Sequence, residues 1–268
     1  MRKRYLHIMV LSLFLVLASA CERKTEWDLQ RDGRFIIADC IITNELMFQE
    51  AWLSWSAGSF NEPAAGVSGV TIQLSDGSNT VLFAEDSAIA GHYVSVVPFM
   101  ATAGKSYRLT LSLQESSDTA YAEMTGVSPL EAIDIRASDG YFRVINGQSS
   151  PPSMTWIQYD WSADTLYSEQ YGSSGAAEVF YDLDNIDPEK IFAPDKQVLL
   201  FPHKTRIFRK KYSLSEAHRE FIRSLLLETE WRGGFFDAEQ GNVPTNFRNG
   251  VRGWFGVCAV VADTTFFE

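Results

Sequence analysis

Tyr107-Arg108-Leu109-Thr110-Leu111-Ser112-Leu113 alternates apolar with polar side chains at every step. Successive side chains of a β-strand point to opposite faces, so this run sets Tyr107, Leu109, Leu111 and Leu113 toward a core and the others toward water. It predicts an antiparallel sheet with one covered face. Working outward, comparable β-rich runs precede it at 35–43, 50–56, 70–75, 80–84 and 92–97 and follow it at 119–125, each bounded by turn residues. Ser75-Asp76-Gly77-Ser78 is a tight-turn sequence between two of them, because glycine accepts the positive φ that a primed hairpin turn requires. Short strands at this spacing over residues 35–126 predict an immunoglobulin- or transthyretin-like β-sandwich.

Val127-Ser128-Pro129-Leu130 interrupts that rhythm, since proline cannot donate to a ladder, and the spacing puts a boundary between 126 and 133. Residues 133–268 are expected to form a second β-rich domain. Its strands are expected at 141–145, 155–161, 196–202 and 205–212, with a last buried run from Gly253-Trp254-Phe255-Gly256 through Val261. The span 172–194, rich in Gly, Ser and Asp, reads as loop. One amphipathic helix is expected over 214–231. Ser213-Leu214-Ser215-Glu216 matches a capping box, Leu214, Ala217, Phe221, Ile222, Leu225 and Leu226 recur at helical spacing, and Gly233-Gly234 supplies a stop. Arg206, Arg209, Lys210 and Lys211 crowd a single strand, where the expectation is a solvated edge that discourages sheet-to-sheet pairing.

The N-terminus reads as an address. Arg2, Lys3 and Arg4 precede an apolar run from Leu6 to Leu17, too short for a permanent membrane span, and Ala18-Ser19-Ala20-Cys21 follows. Small residues before a cysteine resemble a bacterial lipobox, with residues 1–20 removed, Cys21 lipidated and 21–34 serving as anchor and tether. The same triplet also fits an ordinary A-x-A cleavage site. Without residues 1–20 the chain keeps 20 basic against 34 acidic residues, a formal charge of −14. Such a balance argues against nucleic acid and against electrostatic adhesion to anionic headgroups. Cys40 and Cys258 lie in apolar runs at opposite ends of the chain; two separately buried thiols and one clamping bridge are both compatible with that placement.

Several segments together resemble the domain-of-unknown-function 4249 family: the lipobox, Phe35-Ile36-Ile37-Ala38 followed by Ile42-Thr43-Asn44-Glu45, Val67-Ser68-Gly69-Val70-Thr71-Ile72, and Ala103-Gly104-Lys105-Ser106-Tyr107-Arg108-Leu109. The run Pro244-Thr245-Asn246-Phe247-Arg248-Asn249-Gly250-Val251-Arg252-Gly253-Trp254-Phe255-Gly256 belongs to the same resemblance, while Cys40 stands where it implies glycine. The resemblance implies a secreted outer-membrane lipoprotein of Bacteroidetes-type bacteria whose partner is a TonB-dependent outer-membrane receptor. It implies no catalytic residues.

Asp182-Leu183-Asp184-Asn185-Ile186-Asp187 has the composition of a calcium loop, but Ile186 and Asp187 occupy the positions where a ligand and glycine are required, so a solvated acidic turn is expected. His92, His203 and His218 stand singly, without a second ligand at helical or strand spacing. No metal or cofactor is expected. Gly172-Ser173-Ser174-Gly175 lacks the strand-to-helix setting of a nucleophile elbow. Most tryptophans read as core; Trp156 alternates with Gln158 and Asp160 and so faces the polar side. The expected function is non-catalytic binding of a ligand or partner, through Trp156, Phe235, Phe236 and the 246–250 loop with Asn246 and Asn249. Two alternatives stand beside it: a surface hydrolase assembled from Asp160, Asp182, Glu239 and His203, and a purely structural surface protein.

Overall fold

The computed structural model describes residues 33–57, 63–114, 116–138, 140–145, 152–183, 199–229 and 243–268. Cys21, Gly233-Gly234, Phe235, Phe236, Glu239, residues 184–187 and residues 196–198 lie outside the described residues.

All seven expected N-terminal strands form: β1 (Ile36–Thr43), β2 (Glu50–Trp55), β3 (Thr71–Ser75), β4 (Thr80–Glu85), β5 (His92–Ser95), β6 (Ser106–Leu113) and β7 (Ser116–Glu123). In β6 the alternation holds, with Tyr107, Leu109 and Leu111 buried and Ser106 and Arg108 exposed. Together with β13 (Arg252–Cys258) they make one eight-stranded sheet in the order β13-β1-β2-β5-β4-β3-β6-β7. The sheet curls until its two outer strands approach, through bridges Ala120 to Phe247 and Thr125 to Cys258. Inward side chains of all eight strands therefore meet in one core, where Ile42, Leu53, Ile72, Leu109 and Phe255 are at most 2 % exposed. Removing a leucine or isoleucine side chain of this kind from water is worth about 1.5–3 kcal/mol. The protein is mainly β, and its first sheet is sandwich-like and nearly closed into a barrel.

β13 is the parallel member, with Ile37 opposite Arg252 and Thr43 opposite Cys258. Gly253 makes the approach possible. A Cβ there would lie 2.1 Å from the Ala38 carbonyl oxygen, and its φ is +93°. Chain order groups 252–258 with the second half, whereas hydrogen bonding groups it with the first sheet.

The second half builds β8 (Asp134–Ser138), β9 (Tyr141–Ile145), β10 (Ser153–Asp160), β11 (Gly175–Asp182), β12 (Thr205–Ser213) and β14 (Val260–Phe267), with helices α1 (Thr165–Tyr171) and α2 (Glu216–Thr229). A four-stranded sheet runs β11-β10-β12-β14, and β8-β9 is a separate hairpin. Its inner face packs Ile157, Tyr159 and Ile207 against Val144, Ile135 and Phe142 of that hairpin. Because β14 begins directly after β13, the continuous run 252–267 stitches the two larger sheets together.

Four expectations change. Residues 175–182, read as loop, are strand β11; Gly175, Ala176 and Ala177 carry little β signal, yet a Cβ at 175 would meet the Tyr159 carbonyl oxygen at 2.4 Å, so glycine is what lets the strand start there. The helix starts at Glu216, not 214, and its cap is Ser215, whose Oγ accepts the His218 N–H at 3.2 Å. Ser213 closes β12 instead, its Oγ accepting from Ala259 N at 2.9 Å. Finally, the cationic strand is no edge: β12 is paired on both sides, and Arg209 and Lys211 are 8 % and 3 % exposed. Alternation explains the split, since residues 209 and 211 share the inner face while Arg206 and Lys210 face outward.

α2 rests on the outer face of the four-stranded sheet, where Ile222 and Leu226 meet Met154 and Tyr181. It covers β13 as well, with the rings of His218 and Phe221 stacked on Trp254 at 5.5 and 5.0 Å. Cys40 and Cys258 are free and separately buried. Burial pushes the Cys258 thiol up to about 12 and that of Cys40 higher still.

Candidate functional site

The loop that carries Asn246 and Asn249 is held by the fold's own hydrogen bonds. Asn246 completes the sheet as a strand would, its Oδ1 accepting from Phe255 N at 3.0 Å and its Nδ2 donating to Phe255 O at 2.7 Å. Asn249 Nδ2 donates to Ser117 O at 3.0 Å. Beneath them sits Asp118, 3 % exposed, a residue that sequence reasoning missed. Its Oδ1 accepts the N–H groups of Arg248 and Asn249, both at 2.8 Å, and its Oδ2 accepts that of Val251 at 2.9 Å. A buried carboxylate that gathers three backbone donors fixes a loop.

Trp156 is half-buried on the outer face of β10, its ring edge-on to Phe208 at 5.8 Å. Opposite it in the ladder stands Lys210, whose Nζ lies 2.6 Å from the Glu45 carboxylate in the β1–β2 connection. Among the other tryptophans, Trp161 and Trp254 are core, while Trp52 is 45 % exposed and stacks on His92 at 4.1 Å.

Among the described residues, Asp160 and Asp182 do not converge. Asp160 pairs with Gly175 and Ser153 with Asp182, so Asp160 and Asp182 mark opposite ends of the β10–β11 ladder. Asp160 caps a turn by accepting from Ser162 N at 3.0 Å, and the Ser162 bonds hold its carboxyl below the usual range. His203 Nδ1 is bonded to the Glu268 carbonyl oxygen at 2.6 Å and its ring stacks on Phe267.

What the structure does assemble is an apolar tip. The β1–β2 connection and the segment after β5 pair through Met47 and Phe99, leaving Leu46, Met47, Phe48, Val96, Val97 and Met100 between 39 % and 71 % exposed. The row continues onto the outer face through Leu82, whose carbonyl accepts from Val96 N at 2.9 Å. Gln49, 2 % exposed, braces this tip from inside. Its Oε1 accepts from Thr43 N at 3.0 Å, its Nε2 donates to the carbonyls of Glu45 and Phe99 at 3.0 and 3.1 Å, and its backbone is bonded to Ser95. A braced, contiguous apolar surface on a monomer marks a contact site more often than chance placement does.

Residues 22–264 match the family described as Domain of unknown function (DUF4249). The chain belongs to the DUF4249 family. It matches no curated protein. In this DUF4249 chain the segments that carried the resemblance have mechanical roles. Asn44 and Glu45 join the two larger sheets, Asn44 Oδ1 accepting from Val260 N at 2.7 Å and Glu45 meeting Lys210. The 244–256 run is the clamped loop and β13, and Lys105 ties its turn to Asp76 at 2.5 Å. Among the described residues no three His, Cys, Asp or Glu side chains gather as a metal site requires.

Proposed function

We propose that this DUF4249 protein is an outer-membrane lipoprotein, held by acyl chains on Cys21, that serves as a non-catalytic accessory or partner-binding component of a TonB-dependent transport system. The exposed apolar tip carries the reading: six large apolar side chains stand in water on a frame braced by Gln49, and hydrophobic contact is what such a surface gains from a partner. β1 leads to the tip, so its eight residues at about 3.3 Å each set Ile36 roughly 26 Å from it. Trp156 and Phe208 flank the same side through the Lys210 to Glu45 link and would widen the contact.

Site-specific photocross-linking in native cells tests this. A photoreactive residue in place of Phe48 should yield an adduct with an outer-membrane β-barrel receptor, while one in place of Leu166, which is 78 % exposed on α1, should not. Phe48→Asp should abolish the complex with little change in stability, and Cys21→Ser should release the protein from the membrane. Adducts no different between positions 48 and 166 in any growth condition would refute the proposal.

A further inference from the structure

β12 carries two buried cations on one face, and their surroundings differ. Arg209 stands opposite Asp263 in the β12–β14 ladder; its Nε donates to Oδ1 at 2.9 Å and its Nη2 to Oδ2, a two-pronged pair that balances the charge. Lys211 stands opposite Val261 on one side and Thr155 on the other. Neither can balance an ammonium. Its Nζ donates to Ser128 Oγ at 2.7 Å and more distantly to Pro129 O at 3.5 Å, both neutral acceptors. Glu131 and Asp182 act on it only through longer-range attraction, and burial depresses its pKa. An ammonium has three N–H groups, so a residue only 3 % exposed retains donor capacity that protein oxygens do not fill well.

That capacity faces a cavity. A cleft of about 330 Å³ opens between the four-stranded sheet and the β8–β9 hairpin. Arg209, Lys211 and Thr155 form its polar side, and Leu130, Val144 and Ile145 form its apolar side. Here the apolar packing of Ile157 and Ile207 against the hairpin gives out, and the sheet's inner face turns cationic. At the rim Asp134 is bonded to Arg136 at 2.9 Å and Glu131 is exposed. The volume is at the small end of ligand sites, which combine apolar walls with a few fixed polar groups.

We propose that this cleft, separate from the tip, binds the carboxylate of a small aliphatic ligand, with Lys211 taking the carboxylate and Leu130, Val144 and Ile145 covering the hydrocarbon. A singly charged group suits it. With Arg209 paired to Asp263 and Arg136 to Asp134, Lys211 is left to offset the ligand, and the second negative charge of phosphate or sulfate would face Glu131 without a counter-ion. The carboxylate of a free branched-chain acid and that of a peptide C-terminus share this chemistry.

Calorimetric titration of the mature protein separates these sources, using 4-methylpentanoate, its amide, the dipeptide Ala-Leu and its C-terminal amide. An acid should bind at least about tenfold more tightly than its own amide. Preference for 4-methylpentanoate identifies a free acid, and preference for Ala-Leu identifies a chain terminus. Lys211→Met, which keeps the length of the side chain and removes its charge, should abolish the difference between acid and amide. If that variant does not fold, Ala132→Trp at the exposed mouth should block binding instead. Failure of both acids to bind folded wild-type protein up to about 10 mM, or equal binding of acid and amide, overturns the proposal. So does acid binding that Lys211→Met leaves unchanged.

Discussion

Asp118→Ala removes the acceptor on which the 248–251 loop depends. Besides the neighbouring Thr119 N–H, three donors of the loop lose their partner, and their exposures set the size of the effect. The Val251 N–H is buried, so leaving it unsatisfied costs about 2 kcal/mol; those of Arg248 and Asn249 belong to exposed residues, can recruit water, and cost about 1 kcal/mol each. The expected loss is about 4 kcal/mol, a large part of the 5–15 kcal/mol that typically holds a domain folded. Asp118→Asn is the informative companion. Its oxygen can still serve Arg248 and Asn249, but an amide NH2 would face the Val251 donor, so the loss should be about half as large. Urea unfolding monitored by tryptophan fluorescence measures both, and the midpoint should fall without a change in slope. If Asp118→Ala shifts the unfolding free energy by less than about 1 kcal/mol, or if Asn is no better than Ala, the loop is not held in the way described.

Two further outcomes follow from α2. Ser215→Ala should lower stability by about 1 kcal/mol in the same urea assay, and Ser215→Gly by only a few tenths, because glycine is itself a tolerated cap; equal losses would disprove the capping role. His218, whose pKa burial pushes down to about 4, makes the fold acid-sensitive: between the ordinary value of 6.5 and about 4 the unfolded chain takes up a proton that the folded chain does not. Stability from this residue is therefore complete above pH 6.5, falls as pH drops toward 4, and amounts to at most about 2 kcal/mol lost by pH 5. Comparing wild type with His218→Gln at pH 7 and pH 5 checks this; equal acid losses in the two would contradict it.

β6 was readable because its burial repeats every second residue and one face is wet, so the pattern sits in the local sequence. The other N-terminal strands are legible as β-rich runs bounded by turn residues. β11 is not, because Gly175-Ala176-Ala177 has little side chain with which to show a period and every position of the strand but the exposed Ala177 is half-buried. Ser213 and Ser215 both precede the helix within one turn of Glu216, and only the geometry of the β12 end decides which hydroxyl faces the helix and which faces Ala259. Arg209 and Lys211 suggested solvent because charge normally does; their burial rests on Asp263, which is fifty-four positions from Arg209, and on Ser128, eighty-three from Lys211. Gln49 and Asp118 look like ordinary loop and strand polar residues. Their work is with Phe99 and Val251, and no local periodicity encodes a partner so distant in the chain. The tip was equally hidden, since Leu46-Met47-Phe48 becomes a surface only when it pairs with the segment around Phe99.

The parallel pairing of β1 with β13 also sets the order in which the molecule can be finished. β1 is among the first strands to leave the ribosome, and the strand that covers its outer edge is nearly the last. Until residues 252–258 arrive, β1 offers a row of unsatisfied N–H and C=O groups, the kind of edge that recruits foreign strands. Pairing across so long a stretch of chain is slow, because loop closure must precede any gain from contact. A chain that stops short of Arg252 keeps that edge open, a template for another copy of itself.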